Sequence, residues 1–134
     1  MAAGHVYTKE IVVLPTHIDE LQHVNNVQYL HWMMEAAEAH WKNRATETQQ
    51  KDFIWVVSKH DIHYRGAARI GDVLELTTYT GDCTGAGWWR HFSIRNKAND
   101  STIVEAKTLF VLLSRKSEKP LRIQDAVLNI FRQA

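Results

Sequence analysis

The chain has 134 residues, 45% of them hydrophobic and 23% charged, and this composition is that of an ordinary globular protein. The length suits a single domain over residues 1–134, and the composition excludes a collagen-like, coiled-coil or disordered chain. The formal net charge of +1 gives no general attraction for nucleic acid or for an anionic membrane, so we expect neither as a partner.

The sequence also bears on where the protein is found in the cell. Every apolar run is far shorter than the about 20 residues that a membrane-spanning helix needs. Lys9 and Glu10 fall where a signal peptide would be apolar. The single cysteine, Cys83, cannot form an internal disulfide, which suits a reducing compartment. We therefore expect a cytoplasmic location.

Residues 5–45 contain two predicted elements of different periodicity. Residues 5–14 have the composition of a strand, which Pro15 ends, and a polar loop follows up to residue 22. From about Asn26 to Ala45 there is no Gly or Pro and strong helix formers dominate, which predicts the only long helix, with Asn25 or Asn26 as its N-cap. Apolar residues cover most of its circumference, so the rest of the chain has to wrap it.

Residues 53–64, 73–82, 87–96 and 102–114 are predicted strands, because they are rich in β-branched and aromatic residues and are separated by turn residues. Residues 123–133 are predicted to form a short closing helix. These elements predict an α+β fold in which a curved sheet of five or six strands wraps one long central helix.

The strand that contains Leu109 to Leu113 does not alternate between apolar and polar residues, which predicts that both of its faces are covered. One helix covers only one face. The other face has to meet a partner subunit or the chain's own tail. We expect an oligomer, with Trp88 and Trp89 exposed at the interface, and a folded-back tail is the alternative.

The loop before the long helix carries the residues most suited to chemistry, Asp19, His23, Asn25 and Asn26. The start of a helix presents unpaired N–H groups that can polarise a carbonyl oxygen, and a nearby carboxylate can attack the carbonyl carbon or activate water. The residue types alone leave two interpretations open. Asp19 and His23 are either a turn-capping carboxylate and a packed imidazole or a catalytic pair.

The pattern Asp19-(three residues)-His23-Val24-Asn25-Asn26-(two residues)-Tyr29-Leu30, with Glu35 further along the helix, resembles the signature of hot dog-fold acyl-CoA thioesterases. This group includes the 4-hydroxybenzoyl-CoA thioesterase-like enzymes and the bacterial long-chain acyl-CoA thioesterases. The pattern is also similar to one hot dog domain of the plant acyl-ACP thioesterases. A second segment, from Ile62 to Leu74 with Gly71-Asp72 before the next strand, resembles the same family.

The resemblance implies a long helix wrapped by an antiparallel sheet, built into dimers or tetramers with active sites between subunits. The implied reaction is hydrolysis of an acyl thioester, without a metal and with coenzyme A present only as part of the substrate. Asp19 is implied as the nucleophile or general base, with His23 beside it. Val24, Asn25 and Asn26 are implied to polarise the carbonyl through backbone N–H groups, and Tyr29 to line the acyl site.

Coenzyme A carries phosphates, so its site is expected to include cations such as Lys59, Arg65 and Arg69, although solvated strand ends explain these residues equally well. The acyl chain needs an apolar tunnel beside the helix, for which Met33, Met34 and Trp55 are the candidates, with plain core packing as the alternative for these residues. Many family members have Gly where this chain has Gln22, and this difference leaves the substrate open. The alternative function is a non-catalytic module that binds acyl-CoA or acyl-carrier protein.

Overall fold

The computed structural model describes residues 4–132 as one open antiparallel sheet, in the order β1-β3-β4-β5-β2, with a long helix against it. Two 3-10 turns, Pro15–His17 and Asn129–Phe131, accompany the regular elements. The strands are β1 (Tyr7–Val12), β2 (Phe53–Tyr64), β3 (Val73–Thr84), β4 (Gly87–Asn96) and β5 (Thr102–Ser114), and the helices are α1 (Asn26–Arg44), α2 (Glu47–Asp52) and α3 (Asp125–Leu128).

The predicted α+β architecture is confirmed, with five strands. The predicted bounds of β2, β4 and β5 match those observed, and α1 ends one residue before its predicted end. The sequence interpretation missed α2, although Thr46 and Gln49 form a capping box that marks its start. The predicted closing helix is shorter than expected, and its last residue, 133, lies outside the described residues.

One side of the sheet, which we call the inner face, packs against α1. Alternate residues of β3 and β4 point to this face, so Leu74, Leu76, Phe92 and Ile94 are buried there. The residues that α1 buries are Tyr29, Trp32, Met33, Ala36, Ala37 and His40. Within residues 4–132, no helix combines the length and the apolar character needed to cross a membrane.

The structure corrects the expectation that Trp88 is exposed. Trp88 keeps only 6% of its surface exposed, because strand alternation turns it to the inner face, where its ring centroid lies 5.5 Å from that of Phe131. Its indole N–H donates to the carbonyl of Gly81. Trp89 points to the opposite, outer face and is half-buried, with the ammonium group of Lys107 4.7 Å from its ring centroid.

The C-terminal tail extends the cover that α1 provides. Ile123, Val127 and Phe131 of the tail pack in one cluster with Leu112 of β5 and Trp41 of α1, on the inner face of the sheet. A tail covering the outer face, the alternative raised from the sequence, is therefore wrong. On that outer face three residues of β5 remain half-buried, Leu109, Val111 and Leu113.

Candidate active site

Asp19 organises the loop that precedes α1. Its carboxylate oxygen Oδ1 accepts hydrogen bonds from the backbone N–H groups of Leu21 at 2.9 Å and His23 at 3.3 Å. Its own N–H donates to the carbonyl of His23 at 2.9 Å. Asp19 therefore caps this turn through Oδ1. The second carboxylate oxygen, Oδ2, makes no hydrogen bond within residues 4–132, so it is available for chemistry.

The loop contains a backbone conformation that usually belongs to glycine. Gln22 has a φ of 65°, in the left-handed region that a side chain disfavours by about 1 kcal/mol. This is the position at which many members of the resembled family carry Gly. The tight turn between Asp19 and His23 therefore survives in this chain despite the replacement.

Most donors at the start of α1 are already used inside the protein. The N–H of Val24 donates to the carbonyl of Ala68 at 3.0 Å, and the N–H of Asn25 to the carbonyl of His17 at 3.2 Å. The side chain of Asn25 caps the helix by accepting from the N–H of Val27 at 2.9 Å. Among the donors implied by the sequence, the N–H of Asn26 is left without a partner in the described part of the chain.

Tyr29 is buried, with 1% of its surface exposed, and it connects α1 to the segment that follows β2. Its hydroxyl oxygen accepts a hydrogen bond from the N–H of Ala68 at 3.0 Å. Burial, with smaller contributions from the charges of Asp72 and Asp19, raises the pKa of Tyr29 above its ordinary value. The two segments that carry the family resemblance thus meet at this hydroxyl.

The two histidines of the loop differ in their contacts. The Nδ1 atom of His17 accepts from the N–H of Leu14, and its ring lies edge-on to Trp32 at 4.9 Å. The imidazole of His23 makes no hydrogen bond to the rest of the described chain, and His23 contributes to the loop through its backbone. His23 is half-buried beside Asp19.

A cavity of about 380 Å³ lies between the C-terminal half of α1 and the first half of β2. Met34, Ala37 and Trp41 of α1 form one wall, and Trp55 and Val57 of β2 form the other. The structure thus places Met34 and Trp55 in an apolar pocket beside the helix, whereas Met33 is fully buried in the core. Asp19 does not line this cavity.

Sequence reasoning did not find the polar cluster that closes the inner end of the cavity. Arg90 of β4 keeps 5% of its surface exposed and lines the cavity. Its Nη1 donates to Nδ1 of His40 at 2.9 Å and to the hydroxyl of Thr78 at 3.1 Å. Arginine can only donate, so His40 is neutral and its Nε2–H donates to Nδ1 of His5 at 3.1 Å. Inward and outward residues alternate along β4, and this alternation could have identified Arg90 as an arginine on the inner face.

The neutral state of His40 makes the stability of the protein depend on pH. Burial, followed by the charge of Arg90, lowers the pKa of His40 from 6.5 to about 3. Below pH 6.5 the unfolded chain binds a proton at His40, whereas the folded protein does not bind one there. The free energy of unfolding therefore decreases as the pH is lowered. We expect this one group to lower the free energy of unfolding by about 2 kcal/mol between pH 7.5 and pH 5.0.

Urea unfolding at the two pH values, with His40→Gln as the matched variant, measures this effect. The free energy of unfolding should differ between pH 7.5 and pH 5.0 by about 2 kcal/mol less in the variant than in the wild type, because glutamine does not titrate. His60 and His91, whose pKa values are also lowered by burial, contribute equally in both proteins. An unchanged pH dependence in the variant would show that His40 titrates normally.

The three cations expected for coenzyme A, Lys59, Arg65 and Arg69, are exposed. Arg65 pairs with Glu105 at 2.9 Å, and Lys59 lies on the outer face with its ammonium group 5.9 Å from the ring centroid of Trp89. The backbone N–H of Arg69 donates to Asp72, and its side chain makes no ion pair within residues 4–132. Glu35 lies on the exposed side of α1.

Comparison with known proteins gives one family. Residues 4–131 match the family model described as the acyl-ACP thioesterase N-terminal domain. Over 120 residues, the chain is 26% identical to the long-chain acyl-CoA thioesterase FadM of Escherichia coli. This match covers 86% of this chain and 89% of FadM. Over 84 residues, which are 63% of this chain, it is 26% identical to the chloroplastic acyl-carrier-protein hydrolase FATB3 of Cuphea viscosissima.

The match to FATB3 spans 20% of the length of that plant protein. Among solved structures, the fold is similar to that of YbaW, a probable thioesterase from Escherichia coli, with a TM-score of 0.80 and 25% identity over 92% of this chain and 94% of YbaW. This likeness confirms the hot dog fold that the resemblance implied.

Proposed function

Because this chain belongs to the family of the acyl-ACP thioesterase N-terminal domain, we propose that it hydrolyses an acyl-CoA thioester to a carboxylic acid and coenzyme A. The observation that carries the proposal is the loop before α1. It holds a carboxylate with one unpartnered oxygen next to a helix start with one unpartnered N–H group. FadM, which this chain resembles over nearly its whole length, is a long-chain acyl-CoA thioesterase.

The chemistry assigned to these groups needs no metal or cofactor. As a nucleophile, Oδ2 of Asp19 attacks the carbonyl carbon, the carbon–sulfur bond breaks, and water then hydrolyses the acyl–aspartyl anhydride. As a general base, the same oxygen takes a proton from the water that attacks the carbon. In both routes negative charge develops on the carbonyl oxygen, and the N–H of Asn26 at the positive end of α1 stabilises it. His23, beside Asp19, stays a candidate for positioning the carboxylate.

The carboxylate and the cavity lie at opposite ends of α1. Tyr29, close to Asp19, has its ring centroid 6.2 Å from that of Tyr64 at the end of β2. Trp41, at the cavity, has its ring centroid 5.7 Å from that of Trp55 near the start of β2. The helix and β2 are therefore antiparallel. Along the helix, Trp41 at the far end of the cavity is about 18 Å from Tyr29, and Met34 at the near end is about 8 Å from Tyr29, because each residue adds about 1.5 Å.

A twofold dimer joins the two sites. If β2 pairs antiparallel with β2 of a second copy, the Tyr64 end of one strand lies opposite the Trp55 end of the other. The Asp19 loop of one copy then faces the cavity of its partner. We propose that the enzyme is such a dimer, or a tetramer built from two of them, in which each active site takes its carboxylate and its acyl pocket from different copies.

The two edges of the sheet support β2 as the dimer edge. β1 is short, and its Lys9 and Glu10 are exposed, as in edges that resist pairing. β2 has 12 residues and exposes the adjacent valines Val56 and Val57, followed by Ser58 and Lys59. A long edge strand with exposed apolar residues is a ready template for pairing with another chain.

The proposal that β2 is the dimer edge can be tested by measuring the mass of the protein in solution. Light scattering should give the wild type a mass of about 31 kDa, twice the 15.5 kDa of the chain, or about 62 kDa for a tetramer. The double substitution Val56→Lys and Val57→Lys places like charges across the twofold axis and should shift the protein towards the monomer. Val12→Lys, at an exposed valine of the other edge strand, is the matched control. A wild-type mass of 15.5 kDa contradicts the proposal.

A free-thiol assay over a chain-length series of acyl-CoA and acyl-carrier-protein thioesters tests the activity itself. We expect thiol release from acyl-CoA thioesters, with a chain-length optimum set by the cavity. Binding of these thioesters without release of thiol would instead support a non-catalytic binding module, since the same pocket can hold a thioester without cleaving it.

A further inference from the structure

Arg90 is a buried cation without a counterion. It occupies an inward position of β4 between Trp88 and Phe92, both of which are buried. No carboxylate of residues 4–132 pairs with it. Burial lowers the pKa of Arg90 to about 10, so the side chain still carries its charge at neutral pH. A buried charge without a partner is costly, and proteins usually pair such groups.

The partners that Arg90 does have use only part of its hydrogen-bonding capacity. A guanidinium group has five N–H donors, and the two on Nη1 go to His40 and Thr78. The ring of Phe131 lies with its centroid 5.0 Å from the central guanidinium carbon, which stabilises the cation without using a donor. The N–H groups on Nε and Nη2 make no hydrogen bond to another described residue.

The position of Arg90 in the cavity indicates what those donors meet. The exposed residues at the cavity, which mark its mouth, are Glu38, Lys42, Val57 and Arg115. Arg90, Thr80 and Trp88 are all buried and mark its inner end. The walls between are apolar and aromatic. A linear ligand that enters from the mouth therefore ends against a cation with unused, fork-shaped donors.

We infer that Arg90 is a specificity-determining residue that binds an oxygen acceptor, above all a carboxylate, at the far end of the acyl group. The inference rests on the proposed thioesterase function. The favoured substrates are thioesters of acyl groups that end in a carboxylate, and plain alkyl chains of the same length are poorer substrates. A terminal carboxylate supplies the missing negative charge and accepts two parallel hydrogen bonds from the guanidinium group.

Pairs of acyl-CoA thioesters with equal chain length test this inference, one ending in a carboxylate and the other in a methyl group. For the wild type we expect kcat/KM to favour the carboxylate by about 10- to 100-fold at the best chain length. Arg90→Met should abolish or reverse this preference, because methionine keeps an unbranched apolar stem and removes the charge and the donors. Arg115→Met is the control, since Arg115 lines the same cavity but is exposed, and the preference should persist there.

Calorimetry with a free monocarboxylic acid and the primary alcohol of the same chain length gives a readout that does not depend on catalysis, because only the acid carries a carboxylate. Selective binding of the acid, lost in Arg90→Met and retained in Arg115→Met, supports the inference even if no thioester is hydrolysed. Equal binding of the acid and the alcohol by the wild type overturns it. Equal hydrolysis of both thioesters also overturns it and leaves the thioesterase function standing. Thermal unfolding checks that Arg90→Met is folded, and Arg90→Lys, which keeps the charge, should retain part of the preference.

Discussion

Asp19→Asn is expected to lower kcat/KM for thioester hydrolysis by about 10²- to 10⁴-fold, the range that a positioned acid–base group or nucleophile contributes. The asparagine side-chain oxygen can still accept the hydrogen bonds from the N–H groups of Leu21 and His23, so the loop keeps its shape. Only the charge and the basicity of the free oxygen are lost. The free-thiol assay measures the activity, and thermal unfolding should show a stability close to that of the wild type.

Two matched variants separate catalysis from structure at this loop. Asp19→Ala removes the charge and both acceptors, so it should lose the same activity and in addition about 1 kcal/mol of stability. Glu20→Gln removes the neighbouring exposed carboxylate and should leave the activity unchanged. If Asp19→Asn hydrolyses thioesters at the wild-type rate, Asp19 acts only as a capping residue and the proposed mechanism is wrong.

The sequence predicted the fold well because its strongest signals are periodic. The long helix and the strands β2, β4 and β5 each have uninterrupted composition and end at clear turn residues, so their bounds were found within a residue. Helix α2 was missed because its six residues carry no apolar period. Trp88 was misplaced because a pair of adjacent tryptophans on a strand does not show which of the two faces the core.

The site was predictable only as far as its local geometry. The spacing of Asp19, His23 and Asn25 defines a loop and a helix cap, and both were found. Which N–H group stays unpartnered depends on tertiary contacts. The N–H of Val24 is already used, because it donates to the carbonyl of Ala68, which is far away in the sequence. The residues that line the cavity belong to α1, α2, all four strands from β2 to β5, and the tail, so no single element predicts its shape, although the alternation of β4 does place Arg90 on the inner face.

The division of the active site between two copies predicts a recovery of activity that a site within one chain cannot give. Asp19→Asn lacks the carboxylate and keeps its cavity, whereas Ala37→Trp keeps the carboxylate and fills the cavity that Ala37 lines. Each variant alone should be nearly inactive on long acyl-CoA thioesters. In a mixed dimer, one site combines both defects and the other combines the intact carboxylate with the intact cavity.

Co-expression of the two variants with different affinity tags allows the mixed dimer to be isolated. Its activity should be about half that of the wild-type dimer, because one of its two sites is complete. The control is a mixed dimer of Asp19→Asn with the chain that carries both substitutions, in which neither site has a carboxylate and no activity should return. An inactive first pair, with the mass of a dimer, would place Asp19 and the acyl pocket of each site in the same copy. That outcome would contradict the division of the site between two copies without contradicting the role of Asp19 in hydrolysis.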